Sequence, residues 1–531
     1  MEIKQIPFKK TGFFSKTMLD YLDQKEIIQP FYHNFPNIEG FKNQLQTKKL
    51  DFKQETRDSL VLSLKKQYEG LPTSEKTEEN IELLQQNNTF TITTGHQLNL
   101  FTGPLYFLYK IIATINLCEE LREKFPEEHF VPIYWMATED HDFEEINYFN
   151  FKGKKVQWNS TQTGGVGRFS TEGLEEVLAV FSEHLGSSKN AEYLKGLFKK
   201  AYVEHTHLAS ATRYIANELF GVYGLVVVDG DDSELKKVFT PYVVKELTEQ
   251  VSFKEVTKTV EDLRKNYKIQ VNPREINLFY LHDGIRERIL FEDDVYKVNN
   301  TDITWNWEAL EKHTHEFPER FSPNVIMRPL YQEVILPNLC YIGGGGELAY
   351  WLQLKAYFEA IAVPFPILLL RSSVQVFSEK QVKKLAKLKV TTEEVFIKQN
   401  TLLQQKVLEN AEEQVDFSQQ KAFLENQFET LRKVAEKTDV SFVGAVNAQE
   451  KKQLKGLKNL EKRWVRAEKR RQHDLVTRIT ELQNEILPNQ SLEERQRNFS
   501  EYYLEYGSSF IKHLKDNLHP LELAFTLLIL E

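Results

Sequence analysis

The sequence predicts an α/β protein whose parallel, doubly wound sheet carries connecting inserts and is followed by a C-terminal α-helical antiparallel coiled coil. Three observations carry this reading. Several apolar strand-like runs end in polar clusters just before helical stretches. A middle segment breaks into short apolar runs separated by Asp, Gly and Asn. After Arg371 the composition turns to Glu, Lys, Gln and Leu, with no proline between Pro366 and Pro488.

In chain order, residues 1–88 read as a helical segment that joins the core, and 89–265 as the first part of the core with an insert. Phe90 to Thr94 is strand-like, Gly95 to Gly103 reads as a loop, and an apolar helix follows through Tyr109, Ile112 and Leu117. Pro104 suits the first turn of that helix, because the N–H it lacks would have no intrahelical partner. Phe130 to Ala137 reads as a buried strand that ends in Thr138-Glu139-Asp140-His141-Asp142. Leu225 to Val228 repeats the pattern, ending in Asp229-Gly230-Asp231-Asp232 before a helix from Ser233. Repeated strand–cluster–helix units argue for a parallel sheet whose ligands lie beyond the carboxyl ends of its strands.

Residues 266–321 read as an inserted antiparallel segment, with runs such as Ile276 to Leu281 and Ile289 to Phe291. The core resumes over 322–374, where Tyr341-Ile342 meets Gly343 to Gly346, a helix opens at Glu347 and Pro366 to Leu370 forms a last strand. Residues 375–487 read as the coiled coil. Leu457, Leu460, Trp464, Ala467, Leu475, Ile479, Leu482 and Ile486 recur at mostly alternating three- and four-residue steps, with Arg471 in one seam position. The stripe Leu424, Phe428, Leu431 precedes a loop-like segment, Asp439 to Asn447, so two helices are expected to fold back as a hairpin that could also make a homodimer. Residues 488–531 are expected to dock on the core, and the run Leu527 to Leu530 reads as buried.

The 531 residues include 41% hydrophobic and 12% aromatic side chains, a globular and aromatic-rich composition with ample material for a core. A net charge of −9 argues against a nucleic-acid partner, whose backbone would be repelled. With only two cysteines, Cys118 and Cys340, a disulfide framework is excluded and the cytoplasm is the expected compartment. No apolar run approaches the ~20 residues of a membrane span, so no membrane partner is expected.

Several segments carry residue types that could do chemistry. The loop Thr94-Gly95-His96-Gln97, closing at Gly103 before a helix, would offer backbone N–H groups to a phosphate or carboxylate. A tight turn with a surface His is the other reading. The Walker lysine is missing, so this is not a P-loop. The run Glu139-Asp140-His141-Asp142 crowds carboxylates around one imidazole; they should favour the imidazolium, raise the His141 pKa and suit a general acid or base, though a helix start enriched in acids would look the same. Arg328, in Ser322-Pro323-Asn324-Val325-Ile326-Met327-Arg328-Pro329, sits among apolar residues and needs either an anionic substrate or an internal carboxylate. Gly343, Gly344 and Gly345 allow close backbone approach to a ligand, with Glu347 opening the next helix. Cys118 reads as core, and nothing local activates Cys340. The basic run from Lys462 to Arg471 reads as a solvated helical face.

Four of these segments together resemble one family. Thr94-Gly-His-Gln-Leu-Asn-Leu-Phe-Thr-Gly-Pro-Leu-Tyr, Val131-Pro-Ile-Tyr-Trp-Met-Ala-Thr-Glu-Asp-His-Asp-Phe-Glu-Glu-Ile-Asn, Ser322-Pro-Asn-Val-Ile-Met-Arg-Pro-Leu and Tyr341-Ile-Gly-Gly-Gly-Gly-Glu-Leu-Ala-Tyr-Trp are similar, in order and separation, to the cysteine-adding enzymes of bacillithiol biosynthesis (BshC). The similarity continues through the coiled coil. Two positions depart from the family pattern: His96, where Gln is more usual, and Gly345, where Pro is common. The resemblance implies a Rossmann-like core and a cytoplasmic amide-forming ligase that joins the carboxyl of cysteine to the glucosamine amine of glucosaminyl malate. An amine does not attack a free carboxylate, so ATP is expected as the activating co-substrate. The site expected from motifs and resemblance together places His141, Asp140 and Glu139 in catalysis. It assigns substrate binding to Thr94, Gly95, His96, Gln97, Gly103, Asp142, Asn324, Arg328, Gly343, Gly344, Gly345, Glu347 and Tyr350, and expects no metal. Two other readings compete: a metal-dependent hydrolase or nucleotidyltransferase using residues 139–142 with Asp229, and a non-enzymatic coiled-coil scaffold.

Overall fold

The computed structural model describes residues 2–412 and 417–531; Met1 and residues 413–416 of the expected coiled-coil segment lie outside the described residues. Its centre is a five-stranded parallel sheet built from β1 (Thr89–His96), β2 (His129–Met136), β3 (Val226–Asp229), β4 (Asn338–Gly343) and β5 (Ile367–Leu370). The strand order is β5-β4-β1-β2-β3, with every neighbouring pair parallel. The chain runs outward from β1 in one direction and returns to its other side, so the order reverses between β1 and β4. In such sheets a crevice opens at this reversal, beyond the carboxyl ends of the strands.

Both faces of the sheet are covered, which is why its strands read as near-continuous apolar runs. On one face Phe90, Ile92, Phe130, Ile342, Ile367 and Leu369 pack against Ala113, Leu117, Cys118 and Leu121 of the helix Tyr106–Lys124. Cys118 and Cys340 are both free and buried there, and burial pushes both thiols up, that of Cys118 to about 12. The threonines of β1 are satisfied within the sheet: Thr91 and Thr93 donate to Asn338 Oδ1, at 3.3 and 2.8 Å, and Thr94 donates to the Ile342 carbonyl at 2.7 Å. A strand whose period-two alternation hides hydroxyls on a buried face must supply such acceptors.

The middle segment is antiparallel as expected. Its sheet runs Thr304–Trp305, Val295–Val298, Ile285–Glu292, Leu278–His282, Phe321–Pro323, so the last strand borrows residues from the segment that leads back to the core. A third sheet joins the termini: Phe525–Leu530 lies between Glu2–Ile6 and Ser373–Ser378. Ser373–Ser378 is therefore strand, although the composition after Arg371 reads as helix. Its Val376 N–H and Val374 N–H are taken by Glu493 and Glu494.

The helices Phe417–Ala435 and Val440–Arg471 form an antiparallel hairpin closed on Leu424, Phe428, Ala435, Val443 and Val446. The turn is shorter than expected. Asp439 caps the second helix by accepting from Ser441 N and Phe442 N, so residues 440–447 are its first two turns rather than a loop. The predicted seam also breaks at Gln472, and the next helix, His473–Ile486, buries Ile479, Leu482 and Ile486 in the main core. Among the described residues no helix is long and apolar enough to cross a membrane.

The C-terminal segment docks through a buried ion pair. Arg371, at the end of β5, meets Glu494 with two hydrogen bonds of 2.6 and 3.1 Å, both side chains almost fully enclosed. Removing one partner of such a pair leaves an uncompensated charge, so Glu494→Ala is expected to cost about 3–5 kcal/mol. Replacing both, as in Arg371→Met/Glu494→Leu, should recover most of that loss; equilibrium denaturation of the three proteins checks it.

Candidate active site

A cavity of about 780 Å³ opens at the carboxyl ends of the core strands, where the sheet order reverses. Its walls come from β1 (Gly95, His96), the helix after it (Tyr106, Lys110), the end of β2 (Ala137 to His141), the antiparallel insert (Phe279, Arg286, Arg288), Asn324 and Arg328, the glycine loop (Gly344 to Glu347) with Tyr350, and Arg371 with Arg495. Seven cations line it, Lys110, Arg274, Arg286, Arg288, Arg328, Arg371 and Arg495, against three carboxylates, Glu139, Asp140 and Glu347. The chain is acidic overall. The cavity is basic, which suits anionic substrates.

Glu347 organises the inner end. Its carboxylate accepts from the Tyr341 hydroxyl at 2.8 Å and the Gly344 N–H at 2.8 Å, and pairs with Lys110 at 2.6 Å. Burial alone would raise its pKa; Lys110 and these donors reverse that, and it lies below the usual carboxylate value. Lys110, itself 3% exposed, spends another proton on the Gly95 carbonyl at 2.8 Å. A Cβ at position 95 would stand 3.1 Å from the Tyr341 hydroxyl, a tight contact, and 3.7 Å from Arg328 Nη1.

Arg328 is the unanswered cation of this inner end. Its Nη1 donates to Gln332 Oε1 at 3.1 Å, its plane lies 5.6 Å from the centre of the Tyr341 ring, Tyr350 and Tyr341 support its charge, and Nη2 is buried with no hydrogen-bond partner among the described residues. Arg328 forms no ion pair among the described residues, so the internal salt bridge left open by the sequence is not made. Nearby Asn324 lines the cavity while holding the start of the next helix, accepting from Ile326 N and Met327 N.

Within the acidic cluster at the end of β2, Glu139 and Asp140 have separate partners, and Asp142 is exposed. Glu139 turns inward to the buried Lys236; burial raises its pKa, an effect Lys236 partly offsets. Asp140 accepts from Gln97 Nε2 at 3.0 Å and from the His141 N–H at 2.8 Å. Asp229 takes the Thr138 hydroxyl and the Asp231 N–H, and Asp231 accepts from Nε and Nη2 of Arg168 at 2.7 and 2.8 Å. Among the described residues no group of three or more His, Cys, Asp or Glu is arranged to hold a metal.

His141 differs from expectation. Its side chain is 49% exposed, and Arg286 Nη1 stands 2.6 Å from its Nδ1. Burial and then the Arg286 charge hold its pKa below the ordinary value of 6.5, outweighing Asp140 and Asp142. The sequence shows only the neighbouring acids; the arginine arrives from a strand of the insert. His96 is also held well below its usual value, by burial and by Lys110, and is neutral.

Of the residues expected to bind substrate, Gly95, His96, Gln97, Asn324, Arg328, Gly344, Gly345, Glu347 and Tyr350 line the cavity, together with Glu139, Asp140 and His141. Thr94, Gly103, Asp142 and Gly343 lie outside its walls. Thr94, Gly95 and His96 belong to β1 and ladder with β2, so the free-loop reading of this stretch does not hold. The helix begins only at Tyr106. Gly103 serves the intervening turn: its φ is +63°, and a Cβ would fall 2.6 Å from Asn99 Cβ. Sequence reasoning missed Lys110, Arg274, Arg286, Arg288, Arg371 and Arg495. Three of them had a signal, since Arg371 follows an apolar strand directly and Arg286 and Arg288 share a face at strand spacing.

Comparison with known proteins agrees with this architecture. The model of the bacillithiol biosynthesis BshC N-terminal Rossmann-like domain matches residues 1–372, and that of the BshC C-terminal coiled-coil domain matches 374–530. The chain is 56% identical over 524 residues to a protein of Flavobacterium psychrophilum, covering 98% of each, and 55% identical over 528 residues to one of Christiangramia forsetii, again covering 98% of each. It is 28% identical over 542 residues to one of Bacillus cereus, covering 97% of each. All three carry the name "Putative cysteine ligase BshC". Matched along both domains and nearly end to end, this chain belongs to the BshC family of bacillithiol biosynthesis.

Proposed function

We propose that this protein is a cysteine ligase that forms the amide bond between the carboxyl of cysteine and the glucosamine amine of glucosaminyl malate. The observation that carries the reading at the site is that Arg328, in a cavity lined by seven cations, has no carboxylate partner among the described residues and leaves Nη2 without a hydrogen bond there. A dicarboxylate such as malate supplies the anion that this guanidinium lacks, in the planar two-point geometry that arginine favours. Asp140 and His141 line the same cavity and handle the proton and charge of the attack, while Glu139 is held by Lys236.

The step needs an activated carboxyl, which ATP would supply. The exposed Arg274 and Arg495 and the half-buried Arg288 have no ion-pair partner among the described residues and fit its phosphates. The individually partnered acids favour this reading over metal-dependent hydrolysis. The free, buried cysteines support a cytoplasmic setting. Exposed Phe423, Leu431, Val434, Phe442 and Leu460 on the helical hairpin support a homodimer through the coiled coil.

The deciding experiment compares low-molecular-weight thiols in cells with and without the gene: loss of bacillithiol is expected, and unchanged bacillithiol with no second copy present refutes the assignment. Within the site, Arg328→Ala should weaken acceptor binding by about 1.5–3 kcal/mol with little loss of thermal stability, read by calorimetry with glucosaminyl malate. His141→Asn should lower turnover by about 10²–10⁴ while acceptor affinity changes little; near-normal turnover in a folded variant would dismiss the catalytic role.

A further inference from the structure

Arg286 is fixed on three sides before it reaches His141. Its Nε donates to Ser322 Oγ at 3.2 Å, its Nη2 to the Pro323 carbonyl at 3.4 Å, and its plane lies 4.2 Å from the centre of the Phe279 ring. Phe279 also supports the His141 ring, with centroids 5.5 Å apart. The remaining edge of the guanidinium, Nη1, stands 2.6 Å from His141 Nδ1. A guanidinium has donors and no acceptor, and it does not give up its proton in proteins. Nδ1 must therefore accept, which leaves the single ring proton of a neutral imidazole on Nε2.

We infer that Arg286 is a positioning residue that locks His141 as the neutral Nε2–H tautomer, so that His141 serves as a hydrogen-bond donor to developing negative charge and not as the base. This rests on the ligase reading for its chemical consequence, but not for the tautomer itself. When the acceptor amine attacks the activated carbonyl of cysteine, an N–C bond forms and the C=O electrons move to oxygen. A preorganised donor stabilises that oxyanion. The C–O bond to the phosphate-bearing leaving group then breaks, its electron pair departing with the leaving oxygen. The proton of the amine passes to a carboxylate, for which Asp140 is adjacent on the same wall. A neutral imidazole used as an electrophile beside a group that lowers its basicity is a known solution in other folds.

The charged groups that face His141 are Asp140 and Asp142 on its own loop and Arg286 and Glu287 on the strand of the insert. The three carboxylates favour the imidazolium, whereas burial and the guanidinium oppose it, and the second pair prevails. Removing the Arg286 charge should therefore raise the His141 midpoint.

The test is two-bond ¹H–¹⁵N spectroscopy of the full-length protein labelled at histidine, with His141→Asn used to assign the signal. The wild type should show the Nε2–H tautomer, titrating below the ordinary 6.5. Arg286→Gln, which removes the charge and adds an acceptor, should raise the midpoint and mix the tautomers, whereas Arg286→Lys, which keeps the charge and can still only donate, should hold the midpoint down and retain more of the Nε2–H form than the Gln variant. In turnover assays with cysteine, glucosaminyl malate and ATP, Arg286→Gln should lower kcat by about tenfold or more and move the pH profile, with KM for the acceptor little changed. A wild-type signal from the Nδ1–H form, or a folded Arg286→Gln protein with unaltered tautomer ratio, overturns the inference. If the spectra behave as expected while the wild type makes no amide, the ligase reading fails and the tautomer lock stands.

Discussion

The carboxylate of Glu347 is the constraint on which the site depends. It gathers Lys110 from the helix after β1, Tyr341 from β4 and the Gly344 N–H into one buried knot across the point where the sheet order reverses. Lys110 extends the knot to the Gly95 carbonyl, so both edges of the crevice are held at fixed separation. Buried charges persist only when paired and hydrogen-bonded, and here the pairing also sets the geometry. Glu347 is committed to these partners and makes no ion pair with Arg328 among the described residues. The result is a site with one anchored cation and one waiting cation side by side.

That division of labour recurs around the cavity. Glu139 answers Lys236, Asp231 answers Arg168 and Glu494 answers Arg371, which fixes the walls. Arg274, Arg288 and Arg495 line the cavity and have no ion-pair partner among the described residues. A surface of this kind attracts anions without collapsing onto its own carboxylates, and the unpaired groups are where substrate binding energy is available.

The C-terminal segment belongs to the site as much as the sheet does. Asn498 donates to the carbonyls of Phe101 and Gly103 at 2.7 and 2.6 Å, and Leu105 N–H reaches the Arg497 carbonyl at 2.8 Å. These bonds hold Phe101, Thr102 and Gly103 at φ of +47°, +69° and +63°, a conformation that non-glycine residues enter only at a cost. The turn delivers the helix that carries Tyr106 and Lys110. Its shape is thus set by residues about 400 positions away in the chain.

The sequence by itself determined what local physics controls. Apolar runs ending in Glu139 to Asp142, in Asp229 and at Gly343 marked parallel strands facing a common edge, and the apolar surroundings of Arg328 marked a guanidinium in need of a partner. The proline-free, charged tract marked the helical hairpin, though not that its turn is short, because Asp439 caps a helix where a small-residue stretch reads as loop. Only the tertiary structure decided which charges meet. The sequence places three acids beside His141 and predicts an imidazolium; the fold partly buries the ring and brings Arg286 across from the insert, and together these reverse the sign. It also withdrew Thr94 and Gly103 from the site, since a strand ladder and a left-handed turn claim them. The physical reason is one of range: strand and helix preferences are written in neighbouring residues, whereas electrostatics acts through space between residues that only folding makes adjacent.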